Sequence, residues 1–157
     1  MTGRASIEIA PGDFGDARVI ELLREHLAGM SAYSPPGSCH ALDLRGLQAA
    51  DVSFFTAWSG EELLGCGALR HVDPSCGEIK SMRTAANHLR KGVASRLLDH
   101  LLVVARARGY RRVSLETGSG PAFDPAIALY LRYGFELGLP FGDYVATDFN
   151  RFMHLAL

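Results

Sequence analysis

Apolar and polar residues recur with different periods along the chain, and each change of period marks an element. Ser6 to Ile9 alternates and predicts a short first strand, which Pro11-Gly12-Asp13 ends. From Asp16 to Met30, Val19, Leu22, Leu23 and Leu27 fall at three- and four-residue steps, the spacing of a helix. Val52 to Trp58 is rich in aromatic and β-branched residues and reads as a strand. Ser59-Gly60 turns the chain, and Leu63 to Val72 is its hairpin partner. Gly65 and Gly67 inside that strand predict a bulge or a close backbone approach. After a turn at Pro74 to Gly77, Glu78 to Thr84 continues as a strand.

The clearest element follows. Ala94, Leu97, Leu98, Leu101, Leu102 and Ala105 line one face of a helix, with Ser95, Arg96, Asp99, Arg106 and Arg108 on the other side. Gly109 sits where a C-terminal cap belongs. Arg112 to Thr117 is a strand with Val113 and Leu115 on one face. Pro125 suits the first turn of a short helix running to Tyr133. Gly134-Phe135 leads into a last pair of strands that ends with Phe152 to Leu157. Between Ser31 and Gln48, Pro35, Pro36 and Gly37 break regular structure and predict a long loop, a kind that often carries function.

The order is therefore β-α-β-β-β-α-β-α-β-β. Residues 78–117 form a right-handed strand–helix–strand unit, and the preceding hairpins make the sheet mixed. The fold class is α/β (α+β), with one central, mostly antiparallel sheet. At 157 residues the chain fits a single domain, 1–157.

Composition narrows the function. Hydrophobic residues make up 48% and charged residues 21%, ordinary values for a globular protein. Sixteen Lys+Arg against seventeen Asp+Glu leave a net charge of -1, without the basic surplus of a nucleic-acid binder. No apolar run reaches the ~18 residues of a membrane span. MTGRASIEIAPGD lacks the apolar core of a signal peptide, so the expected compartment is the cytoplasm. Cys39, Cys66 and Cys76 contain no CxxC pair and read as reduced thiols, with no metal expected.

The candidate chemistry begins at Asn87 to Ala94, which joins a strand to the start of the amphipathic helix. The first amides of a helix lack internal partners, and its macrodipole favours an anion there. Gly92 and Ala94 allow close approach, while Arg90 and Lys91 add positive charge. The same residues also fit a plain turn with two solvated cations. Gly92-Val93 does not continue as a P-loop, and Gly118-Ser119-Gly120-Pro121 lacks the third glycine of a dinucleotide fingerprint. Neither HExxH nor GxSxG occurs.

EIKSMRT (Glu78–Thr84), LRKGVA (Leu89–Ala94) and LYLRYGF (Leu129–Phe135) occur in the order and spacing of the GNAT superfamily of acyl-CoA-dependent N-acetyltransferases, which the chain resembles. GCGALR, GEIKSMRT, HLRKGVA and SLETGS are most similar to its bacterial YsnE-like branch. There are departures: Leu89 and Arg90 stand where the family often has Arg or Gln and then Gly, and Phe123 where many members carry Asn.

The resemblance implies the GNAT-type fold, with helices on both faces of the sheet. It implies transfer of an acetyl group from acetyl-CoA, as cosubstrate, to a primary amine of a small molecule or of a peptide or protein. The amine attacks directly in a ternary complex, and no metal takes part. A silent acyl-CoA-binding module is the alternative. A homodimer is the family-level expectation.

Residue roles follow from the same resemblance. The amides of Arg90, Lys91, Gly92, Val93, Ala94 and Ser95 would hold the pyrophosphate. The strand at Met82, Arg83 and Thr84 would hold the pantetheine arm, with the Met82 amide facing the thioester oxygen. Tyr130 would be the general acid, provided that it is somewhat acidified, and Tyr133 is its alternative. Glu78 matches a family general base, and Glu116 is the rival. Alternation puts Glu78, Lys80 and Met82 on one strand face. His40 and Asp43 in the long loop, and Phe141, Asp143 and Tyr144 near the end, would wall the acceptor site, the two aspartates favouring an amine-bearing acceptor.

Overall fold

The apolar faces fold where the sequence puts them. The computed structural model describes residues 6–157. Its strands are β1 (Glu8–Pro11), β2 (Val52–Ser59), β3 (Glu62–Asp73), β4 (Cys76–Thr84), β5 (Arg112–Thr117), β6 (Glu136–Gly138) and β7 (Arg151–Ala156). Its α-helices are α1 (Ala17–Tyr33), α2 (Leu44–Leu47), α3 (Val93–Ala107) and α4 (Asp124–Arg132). A single 3₁₀ turn, Ala86–His88, precedes α3.

The strands form one sheet in the order β1-β2-β3-β4-β5-β7-β6. Only β4 and β5 run parallel; every other neighbouring pair is antiparallel. The stripe Leu97, Leu98, Leu101, Leu102 and Ala105 packs α3 on Leu69, Ile79, Val113 and Met153, together with Leu129 and Tyr130 of α4. The opposite face is covered by Val19, Leu22 and Leu23 of α1 and Leu47 of α2, against Phe54, Cys66 and Ala68.

Two element boundaries differ from the sequence pattern. The first strand lies two residues later, because Pro11 is tolerated on an edge strand. The loop expected over 31–48 is shorter at both ends. The helix α1 runs on to Tyr33, just before Ser34-Pro35, and α2 is a single turn capped by Asp43, whose carboxylate accepts from the Gly46 amide at 2.8 Å.

The two strand glycines mark what the site needs. A Cβ on Gly65 would lie 2.6 Å from the Arg83 carbonyl and 2.9 Å from Val93, so glycine lets α3 sit close to the sheet. Opposite Gly67 the register slips: Cys66 pairs with Arg83 but Ala68 with Lys80. Ser81 and Met82 therefore face one residue across the ladder, a β-bulge. Ser81 takes φ 55°, a left-handed conformation. This bulge reverses the alternation, so Met82 does not share a face with Glu78 and Lys80. Its side chain packs on the α3 side, where its sulfur would lie 2.6 Å from a Cβ on Gly67.

Pairing of β4 with β5 stops after Cys76–Glu78 against Arg112–Ser114. Beyond that point the strands part, and a cleft opens between them.

Candidate active site

The turn before α3 is built from two left-handed residues, Arg90 at φ 63° and Gly92 at φ 82°. The conformation at Arg90 explains why glycine suits that position. His88 secures the turn: its Nδ1 accepts from Lys91 at 3.1 Å, and its Nε2–H donates to Glu62 at 2.9 Å. No side chain caps α3, and its first internal bond is Arg96 N–H to Gly92 O at 3.1 Å. Among the described residues, the amides of Arg90, Lys91, Gly92, Val93, Ala94 and Ser95 donate to no protein acceptor. Six unpartnered donors at the positive end of a 15-residue helix fit an anion such as pyrophosphate.

The cleft between β4 and β5 holds a cavity of about 250 Å³. Met82, Arg83, Glu116, Thr117, Phe123 and Tyr130 are among its walls. Thr84 ends β4 beside it, paired with Gly65. The Arg83 guanidinium reaches the α1 carbonyl of Glu25 at 3.0 Å, which ties α1 to the cleft. His26, Ser34 and Ser81 also line it, and each has a buried polar atom with no protein partner. Phe123 is buried, packs edge-on against Phe149 at 5.5 Å and gives the cleft an apolar wall.

Tyr130 reaches this cleft from the core, its ring edge-on to Phe135 at 5.5 Å. Burial raises its phenol above the ordinary value, the opposite of the acidification expected from its role. The same dryness opposes a thiolate, so Tyr130 meets the cleft as an un-ionised donor. Tyr133 is elsewhere. Its hydroxyl donates to Asp99 at 2.7 Å and holds α4 on α3, with burial and Asp99 pushing it up to about 12.

The acidic residues separate into two sites. Glu78 is 1% exposed and lies on the face away from Met82. Arg70 donates to it through Nε at 2.8 Å, with Nη2 also 2.8 Å away in an ion pair, and Tyr144 donates through its hydroxyl at 2.5 Å. Lys80 stands 3.4 Å from Glu78 and donates to Tyr144 at 2.7 Å. Burial and Glu78 together raise the Tyr144 phenol. Glu78 is thus enclosed by its own partners and lines neither cavity. The sequence reading missed Arg70, although it stands directly across the ladder from Glu78, an opposite charge in register.

Glu116 does face the cleft. His40 Nδ1 lies 2.7 and 2.8 Å from its two oxygens, and Asn150 Nδ2 donates to it at 2.9 Å. Asn150, also missed, accepts from the Thr147 amide at 2.7 Å and so ties the β6–β7 connection to β5. Its only sequence signal is its place immediately before the last strand.

A second cavity of about 580 Å³ adjoins the first, with His40, Arg70, Lys80, Asp143, Tyr144 and Asn150 in its wall. Phe141 is buried beneath it, edge-on to Tyr144 at 5.1 Å. Asp43 is not there, because its carboxylate is occupied as the α2 cap. The expected aspartate pair does not form. Asp143 instead shares a wall with two cations.

A split parallel pair, a bulged β4 and an uncapped α3 together describe one fold. The match to the acetyltransferase (GNAT) family model runs over residues 19–135. The chain belongs to the GNAT family. It is therefore an acyltransferase, of the YsnE-like bacterial kind. It is 52% identical to the uncharacterized N-acetyltransferase YsnE of Bacillus subtilis (strain 168) over 90% of this chain and 93% of that one. Its fold superposes with a TM-score of 0.81 on a candidate acyl-CoA N-acyltransferase from Klebsiella pneumoniae, 28% identical, covering 98% and 99% of the two chains. An acetyltransferase of Bacillus subtilis solved in complex with CoA is 19% identical and superposes at 0.73, covering 97% and 99%. Among the described residues of this GNAT chain, no group of His, Cys, Asp and Glu is arranged to hold a metal ion. No helix among them is long and apolar enough to cross a membrane.

Proposed function

We propose that this chain, acting as one domain, transfers an acetyl group from acetyl-CoA to a primary amine by direct attack in a ternary complex. The observation that carries this is the row of six free amides at the start of α3, beside a cleft that opens where β4 leaves β5. The CoA complex of the B. subtilis neighbour supports it.

Arg90 to Ser95 would hold the pyrophosphate through main-chain donors, with Arg90 and Lys91 adding charge. Met82, Arg83 and Thr84 would flank the pantetheine arm, and the bulge would present the Met82 amide to the thioester oxygen. Such fixed donors stabilise developing negative charge well, because no solvent need reorganise. Tyr130 would donate to the departing sulfur. A proton acceptor on the β5 side of the cleft, within the His40–Glu116 pair, would take the proton of the attacking nitrogen, and His40, Asp143 and Tyr144 would bound the acceptor. Glu78 would hold Arg70, Lys80 and Tyr144 in place.

Thiol release in the presence of acetyl-CoA and a panel of amines, amino acids and peptides tests the reaction. Release that depends on an amine supports it, whereas CoA binding with no release against any acceptor identifies a silent binding module. Pairing into a homodimer belongs to the same proposal, supported by exposed Leu137 and Leu139 at the edge strand β6. Light scattering should then give twice 17.0 kDa. The cytoplasm is its proposed compartment, which cell fractionation checks.

A further inference from the structure

We infer that His40, oriented by Glu116, is the group that takes the proton from the attacking amine, and that Glu116 is its positioning residue. This rests on the N-acetyltransferase function proposed above and names the base within it.

The geometry is that of a carboxylate-held imidazole. Both Glu116 oxygens lie within hydrogen-bond reach of His40 Nδ1, at 2.7 and 2.8 Å. With its proton on Nδ1, the ring presents the Nε2 lone pair on its opposite edge. Among the described residues, Nε2 has no partner. Glu116 is itself fixed by Asn150 at 2.9 Å, and its side chain is only 9% exposed, against 37% for His40. Both line the cleft, and of the two the His40 ring is the more exposed.

Position agrees with this. His40 lies in the wall of both cavities, the cleft between β4 and β5 and the basic pocket beside it. It therefore stands where an acceptor in one would meet a thioester in the other. The other carboxylate, Glu78, is closed off by Arg70, Tyr144 and Lys80. No regular structure holds the chain from Ser34 to Leu42, so the Glu116 contact and the Tyr144 ring, 5.4 Å away, set the ring's place.

The step balances without another reactant. The amine nitrogen forms the new C–N bond and gives its proton to His40 Nε2. The C–S bond breaks with its electron pair on sulfur; Tyr130 gives its phenolic proton to that sulfur and is reprotonated by the proton that His40 took from nitrogen, so both side chains end as they began. Glu116 keeps its charge throughout.

The test uses the full chain with His40→Ala, Glu116→Gln and the double variant, assayed by amine-dependent thiol release with and without added imidazole. Each variant is first checked for an unchanged melting temperature increment with acetyl-CoA. In His40→Ala, kcat should fall about 100-fold or more, a usual size for loss of a general base, while KM for acetyl-CoA changes less than about threefold. Imidazole should restore at least part of the lost rate in His40→Ala. Glu116→Gln should lower kcat at least tenfold, yet cost nothing further once His40 is gone, as groups acting as a unit do. A merely structural pair would not respond to imidazole. A His40→Ala enzyme within threefold of the wild-type kcat overturns the assignment, as does a rate loss that imidazole leaves untouched. A full additional loss from Glu116→Gln in the His40→Ala background overturns it as well, making Glu116 the base. If the wild type releases no thiol with any amine, the proposed function itself falls, and this inference with it.

Discussion

His26 illustrates how a single buried residue couples stability to the cleft. It is 5% exposed on α1, and burial, aided by the nearby Arg83 charge, depresses its imidazole to about 4. In the unfolded chain it titrates at its ordinary 6.5. As pH falls below 6.5 the unfolded chain binds a proton that the folded chain refuses. Stability is therefore lost between 6.5 and about 4, and no further below that. His26 alone should make the stability found by denaturant unfolding about 2 kcal/mol lower at pH 5 than at pH 8. His26→Gln should lack that part of the slope, and an unchanged slope would contradict the assignment. Cys66, beneath the same helix, is pushed up to about 12 by burial and stays a thiol. Residue types were readable from sequence where they repeat or carry a motif, as Tyr130 and Gly92 do. Asn150 and Arg70 were not, because their importance lies in partners brought together only by the fold.

Among elements, the bulge of β4 and the turn before α3 contribute most to the site. Gly65 and Gly67 signalled a bulge or a close approach, and both occur: α3 presses on Gly65, and the extra residue lies opposite Gly67. Sequence could not tell that β4 carries the extra residue. Simple alternation therefore put the Met82 side chain on the wrong face. The single turn α2 was equally invisible, since four residues are too few to show a period. At the turn before α3, Arg90 and Gly92 differ in how they use the left-handed conformation. At Arg90 a side chain already bears that strain, about 1–2 kcal/mol, so Arg90→Gly relieves it at a smaller entropic cost of about 0.4–1 kcal/mol. Its melting temperature should hold or rise slightly. Gly92→Ala meets no neighbour but takes on the same strain, and should cost about 1 kcal/mol. Calorimetry of the two variants separates these outcomes, and equal losses would contradict the backbone account.

For the molecule as a whole, one sheet does two jobs. Its antiparallel ladders and the α3 stripe supply the core, and its one parallel pair, which separates after three residues, supplies the cleft. The overall order was legible because each long element has a clean period, and the turn before α3, where we propose that the phosphates bind, because it forms a contiguous motif. The acceptor side was far less legible. It is assembled from a loop, two strand ends and the β6–β7 connection, and nothing in a linear sequence indicates that His40 meets Glu116 across 76 positions.

The proposed site for the phosphates of acetyl-CoA is the row of amides from Arg90 to Ser95, in the turn before α3 and its first residues. The most direct measurement is the melting temperature of the wild type and of Gly92→Glu, each with and without acetyl-CoA. At ~100 times its Kd a ligand adds about 2.7 kcal/mol, a rise of about 5–10 °C for a chain of this size. The wild type should show that rise, and Gly92→Glu, with a carboxylate set among the amides, should lose most of it. No rise in the wild type, or an equal rise in both proteins, would contradict the account.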